Sequence, residues 1–65
     1  MLGEHLKKYR ISQNLTQEQM AKRIGIRQCA YSLYENNKLR PGITMVNRIA
    51  KVLGVEPSFV RSLLW

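Results

Sequence analysis

The sequence predicts an all-α domain of five short helices. Three observations carry the expectation. Apolar residues recur at helical spacing in separate segments, clearest in Leu2, Leu6 and Tyr9 and in Ile43, Val46, Ile49, Ala50 and Leu53. Residues that tolerate left-handed backbone close the first four segments: Asn14, Gly25, one of Asn36 and Asn37, and Gly54. Recognisable starts open two of them, Thr16 before the second and Pro57 at the head of the fifth.

The first helix is expected over residues 2–13, with Leu2, Leu6 and Tyr9 facing the core and Lys7, Lys8 and Arg10 beside that stripe. His5 reads as a solvated residue of this helix. Leu15 anchors the connection. Thr16 and Gln19 then form a capping box, in which the hydroxyl and the amide satisfy each other's backbone N–H, so the second helix begins at Gln17. It runs to Ile24 through Met20 and Ala21. Ala21 is small enough to let the next helix cross close by. Gly25 reverses the chain and Ile26 points back inward. The third helix starts at Arg27 or Gln28 and ends at Glu35. Two helices joined by a tight glycine turn make a helix-turn-helix.

Tyr31 and Tyr34 lie on the inner face of the third helix. Gln28, Cys29, Ser32 and Leu33 lie on its outer face, over an arc of roughly 140° at about 100° per residue. Lys38-Leu39-Arg40-Pro41-Gly42 is a basic loop and turn. The fourth helix ends at Gly54, with Val55 as a following anchor. In the fifth, Phe59 and Leu63 are expected to face inward. Val60 and Leu64 then point about 100° away, with Trp65 at the end.

Sixty-five residues make one small domain, 1–65, with no internal repeat or linker. Eleven Lys and Arg face only four acidic residues, all Glu, for a net charge of +7. That balance favours a polyanionic partner. One cysteine precludes an intrachain disulfide, and with no signal-peptide pattern this fits a reducing cytoplasm. No apolar run approaches the ~18 residues of a membrane span. One His, one Cys and no Asp supply neither a metal cluster nor a nucleophile with its base, so enzymatic function is not expected. No cofactor or small-molecule ligand is indicated.

Arg10, the run Leu15-Thr16-Gln17-Glu18-Gln19-Met20-Ala21, Gly25-Ile26, the run from Tyr31 to Lys38, Pro41 and the run from Ile49 to Val55 together resemble the phage repressor/Cro family of Xre-type helix-turn-helix regulators. The resemblance covers nearly the whole chain. It implies the lambda-repressor-like DNA-binding fold and a regulator that occupies a double-stranded DNA operator, as a homodimer. It further implies base contacts from Arg27, Gln28, Cys29, Ser32 and Leu33. Phosphate contacts would come from Thr16 and Gln17 at the start of the second helix and from Asn36, Lys38 and Arg40 around the loop. Arg10 and Glu35 match the family's internal ion pair. Three positions depart from the pattern: Asn37 stands for the usual Gly, Tyr31 for an aliphatic residue and Gly42 for a Ser or Thr cap.

Cys29 and Leu33 would read bases by apolar contact, for instance with thymine methyls. Val60, Leu64 and Trp65 are the expected dimer surface. The alternatives are a repressor-like module that binds a partner protein and an antitoxin-type regulator that binds both DNA and a toxin. Arg27, Lys38 and Arg40 flank the outer arc and favour DNA.

Overall fold

The computed structural model describes residues 1–64. Its five helices are α1 (Leu2–Ser12), α2 (Gln17–Ile24), α3 (Gln28–Glu35), α4 (Ile43–Leu53) and α5 (Pro57–Ser62), and the described residues contain no strand. Helix α3 packs against both α1 and α2, and α4 packs against both α2 and α5. The core between them holds Leu2, Leu6, Met20, Ala21, Ile24, Tyr31, Tyr34, Val46, Ile49, Ala50 and Val60.

One device ends the first four helices. In each, a residue with positive φ follows the last turn: Asn14 (56°), Gly25 (89°), Asn37 (58°) and Gly54 (73°). In each, the next residue's N–H reaches back five positions. Leu15 donates to the Arg10 carbonyl, Ile26 to Ala21, Lys38 to Leu33 and Val55 to Ala50, at 2.9–3.0 Å. These are Schellman motifs, which satisfy carbonyls that the helix end would leave bare. A short pattern accounts for two of them: Ala21-Lys22-Arg23-Ile24-Gly25-Ile26 and Ala50-Lys51-Val52-Leu53-Gly54-Val55. It is too short to be a structural repeat and serves as a helix ending.

Helix α2 has the capping box. Thr16 Oγ1 accepts from the Gln19 N–H at 3.1 Å, and Gln19 Oε1 accepts from the Thr16 N–H at 2.9 Å. Helix α4 starts at Gly42 with no side-chain cap. The Tyr9 hydroxyl donates to the Val52 carbonyl at 3.1 Å and ties α1 to α4. The Leu2 N–H donates to the Leu63 carbonyl at 3.1 Å, so the start of α1 sits on the end of α5.

Helix α5 corrects one expectation. Val60 is fully buried and Phe59 is 47% exposed, the reverse of the inward Phe59 stripe. Val60, Leu63 and Leu64 supply the inner face instead. Six residues complete under two turns, so the helical period fits either phase. The tight Gly54–Val55 ending of α4 sets the entry angle and decides it. Phe59 stacks on His5, with ring centroids 6.1 Å apart and planes at 18°. Val60 is therefore removed from any dimer surface, Leu64 is half-buried against the core, and Trp65 lies outside the described residues. Val55 is 37% exposed, so its backbone anchors the turn more than its side chain does.

Candidate nucleic-acid interface

Three pieces of chain carry the expected site residues: the start of α2, the outer face of α3, and the loop from Asn36 to Gly42. Helix α3 is set by burial of Tyr31 and Tyr34, which leaves its opposite face outside. Arg27 is the N-cap residue, in extended conformation and without a side-chain capping bond. Gln28 and Cys29 follow on the first turn, both exposed, and Cys29 is a free thiol. Leu33 is exposed one turn later, and Ser32 is half-buried. Ser32 is already engaged: its carbonyl accepts from Asn36 Nδ2 at 2.9 Å and its hydroxyl from the same nitrogen at 3.4 Å. Asn36 thus folds back along α3. Lys38 and Arg40 are exposed on either side of Leu39, and Pro41 is buried and pins the loop.

At the start of α2 the capping box uses the Gln19 N–H, and the Met20 N–H bonds the Thr16 carbonyl. The backbone N–H groups of Gln17 and Glu18 have no acceptor among the described residues. Such amides, at the positive end of the helix dipole, are suited to an anion.

A largely buried ion pair joins α1 to the end of α3. Arg10 Nε donates to Glu35 Oε2 at 3.0 Å, and Nη2 donates to Oε1 at 3.1 Å. The fork is bidentate, and its side chains are 17% and 5% exposed. Arg10 Nη1 also donates to the Leu15 carbonyl at 3.0 Å. Gln17 Nε2 donates to Glu35 Oε1 at 3.3 Å. Burial alone would raise the Glu35 pKa, but the hydrogen bonds from Arg10 and Gln17, with the Tyr31 hydroxyl nearby, hold it below the ordinary carboxylate value. The hydrogen bond to Glu35 raises the Arg10 pKa. Burial, reinforced by the Glu35 carboxylate, pushes the Tyr31 hydroxyl up. That hydroxyl feels Glu35 yet makes no hydrogen bond of ordinary geometry.

Two features of this region escape a sequence reading. The first is Gly3, buried where α1 meets the end of α3. Its N–H donates to Asn37 Oδ1 at 2.9 Å, and a Cβ there would lie 2.2 Å from the Glu35 carbonyl oxygen. A glycine inside a helical pattern is the only signal that points to it. The second is the Gln17–Glu35 bond, between residues 18 apart in sequence. The described residues show no group of His, Cys, Asp or Glu able to hold a metal and no pocket, and no helix is long and apolar enough to cross a membrane.

The arrangement defines a helix-turn-helix domain: α2 and α3, joined through Gly25, with the outer face of α3 free. The helix-turn-helix family model matches residues 6–60, and the chain belongs to that family. It is similar to an uncharacterized, SPbeta prophage-derived HTH-type transcriptional regulator of Bacillus subtilis, 37% identical over 60 residues, covering 92% of this chain and 56% of the relative. A second uncharacterized HTH-type transcriptional regulator of the same organism is 35% identical over 60 residues, covering 92% of this chain and 52% of the relative. One from Methanocaldococcus jannaschii is 39% identical over 51 residues, covering 78% of this chain and 77% of the relative. The chain thus spans about half the length of the two Bacillus relatives. No solved structure gives a significant match.

Proposed function

We propose that this domain is a sequence-specific, double-stranded-DNA-binding transcriptional regulator that acts in the cytoplasm by occupying an operator. The observation that carries the reading is the exposed face of α3, with Gln28, Cys29 and Leu33 outward, and exposed Arg27 just before the helix and Lys38 and Arg40 soon after it in the chain. The names of the relatives support the regulatory role. In this reading α3 enters the major groove. Gln28 pairs with adenine, donating and accepting at N6 and N7, while Cys29 and Leu33 contact thymine methyls. Arg27 and Ser32 border these contacts. Gln17, with the free amides of α2 and the Thr16 turn, holds one phosphate, and Asn36, Lys38 and Arg40 hold others. Two copies bind a two-fold site, with recognition helices about 34 Å apart.

Binding to duplexes across a salt series tests this. With four to five phosphates per half-site, the slope of log K against log salt is expected at about −7 to −9 for the dimer. A flat response overturns the DNA reading. One protein per non-palindromic site overturns the dimer.

A further inference from the structure

We propose that Glu35, whose partnership with Arg10 looks purely structural, is also a positioning residue for DNA binding, acting through Gln17. The inference rests on the DNA-binding reading above. The Glu35 side chain is 5% exposed, so it cannot reach DNA itself. Its two oxygens accept three bonds, two from Arg10 and one from Gln17 Nε2 at 3.3 Å. A carboxylate only accepts, so the nitrogen end of the Gln17 amide must face it. That nitrogen carries a second N–H, with no acceptor among the described residues. The backbone amides of Gln17 and Glu18, in the same first turn of α2, are likewise without an acceptor among the described residues.

A phosphate oxygen also only accepts. An amide free to turn would present its carbonyl oxygen to the phosphate in some of its orientations. Held by Glu35, it presents N–H. The two acceptors share one amide nitrogen, the buried carboxylate from below and the phosphate from above. Arg10 completes the arrangement: its bond to the Leu15 carbonyl fixes the backbone just ahead of Thr16, so the start of α2 and the end of α3 are set by one ion pair. The two helices of the motif thereby keep their phosphate-binding and base-reading ends in register.

The test is a comparison of backgrounds, using a duplex selected from a random pool by the wild-type protein. One background is wild type. The other is Arg10→Met with Glu35→Leu, which replaces the whole pair by apolar side chains, a change that is often neutral for buried ion pairs because neither charge is left unmatched. In wild type, Gln17→Ala is expected to weaken binding about tenfold, as for loss of a hydrogen bond to a charged group. In the apolar background the same substitution is expected to weaken it about twofold or less, because the amide there is no longer oriented. A purely structural Glu35 would change affinity in the second background but leave the effect of Gln17→Ala the same, and that outcome overturns the proposal. If the apolar background does not fold, the Gln17 side-chain amide protons of the wild-type protein decide. One proton protected from solvent exchange without DNA, and both protected with it, upholds the proposal; equal exchange of both in the free protein overturns it. A wild-type protein that binds no duplex defeats the DNA-binding reading itself, a distinct result from additivity.

Discussion

Replacing Gly3 with alanine tests whether α1 and α3 meet as closely as described. The added Cβ would fall 2.2 Å from the Glu35 carbonyl oxygen and 2.8 Å from Asn37 Oδ1. The carbonyl belongs to backbone at the end of a helix and cannot swing aside as a side-chain tip can. One of the two helices must retreat by about 0.8 Å or more merely to reach the shortest separation seen in proteins, and overpacking of this kind costs roughly 1–3 kcal/mol. The retreat also stretches the Gly3 N–H bond to Asn37, worth about 1 kcal/mol. Alanine returns up to about 1 kcal/mol through its higher helix propensity, less so this near a helix end. The net expectation is a loss of about 1–3 kcal/mol. In a domain this small that lowers Tm by roughly 5–20 °C. Thermal melting by circular dichroism reads it, with Gly42→Ser as the control. Nothing lies within 4 Å of a Cβ at Gly42, and a serine N-cap adds a few tenths of a kcal/mol. A Gly3→Ala protein that melts at or above the wild-type temperature would refute the contact.

The ion pair predicts an acid limb. Because the folded Glu35 pKa is depressed, its stabilisation is complete above the unfolded value of about 4.3 and is lost as pH falls through the folded value. Tm should decline below about pH 4.3 in wild type and less steeply in Arg10→Met with Glu35→Leu; identical acid limbs would dismiss the pair as the cause. Tyr31→Phe should be neutral or stabilising by up to about 1 kcal/mol, since it removes a buried hydroxyl that lacks a hydrogen bond; a loss larger than that in denaturant unfolding would mean the hydroxyl is satisfied after all. Gln28→Ala should cost about 1–3 kcal/mol at one base pair and relax preference there in a site-selection experiment, whereas Lys38→Ala should weaken all sequences alike and flatten the salt slope. An unchanged preferred site for Gln28→Ala would reassign the reading residue.

Much of the fold is legible because helix ends are local chemistry. Asn14, Gly25, Asn37 and Gly54 mark four endings, and all four adopt positive φ. The capping box is equally local, set by Thr16 and Gln19 alone. What the sequence hides is contact between distant residues and phase in a short helix. Nothing around Gly3 announces that the Glu35 carbonyl lies against it, 32 positions on. The spacing of Phe59 and Leu63 is as helical as that of Val60 and Leu64, and only the three-dimensional exit from α4 selects Val60 for the core. Placing Gln28, Cys29 and Leu33 outside follows from the period, because Tyr31 and Tyr34 claim the opposite face. The engagement of Gln17 by Glu35 does not follow, since no rule relates positions 18 apart in different helices.

These hidden contacts share a destination, the last turn of α3. The Gly3 N–H bonds Asn37, the Gly3 surface abuts the Glu35 carbonyl, Arg10 forks onto the Glu35 carboxylate, and Gln17 adds a third donor there. The first turn of α3 is treated differently. Arg27 caps it with backbone alone, and Gln28 and Cys29 stand in solvent. In the DNA-binding role proposed above, a helix clamped at its far end and bare at its near end suits groove binding. The clamp fixes the helix axis relative to α1 and α2, which limits the orientational entropy lost on docking. The bare turn leaves side-chain donors and acceptors unspent on the protein itself, so that they lose only water when they meet base edges. Moving the clamp to the first turn would spend those groups on the fold. The cost of the present arrangement falls on Glu35, an acidic residue kept ionised in a nearly buried position, and the three donors around it offset that cost.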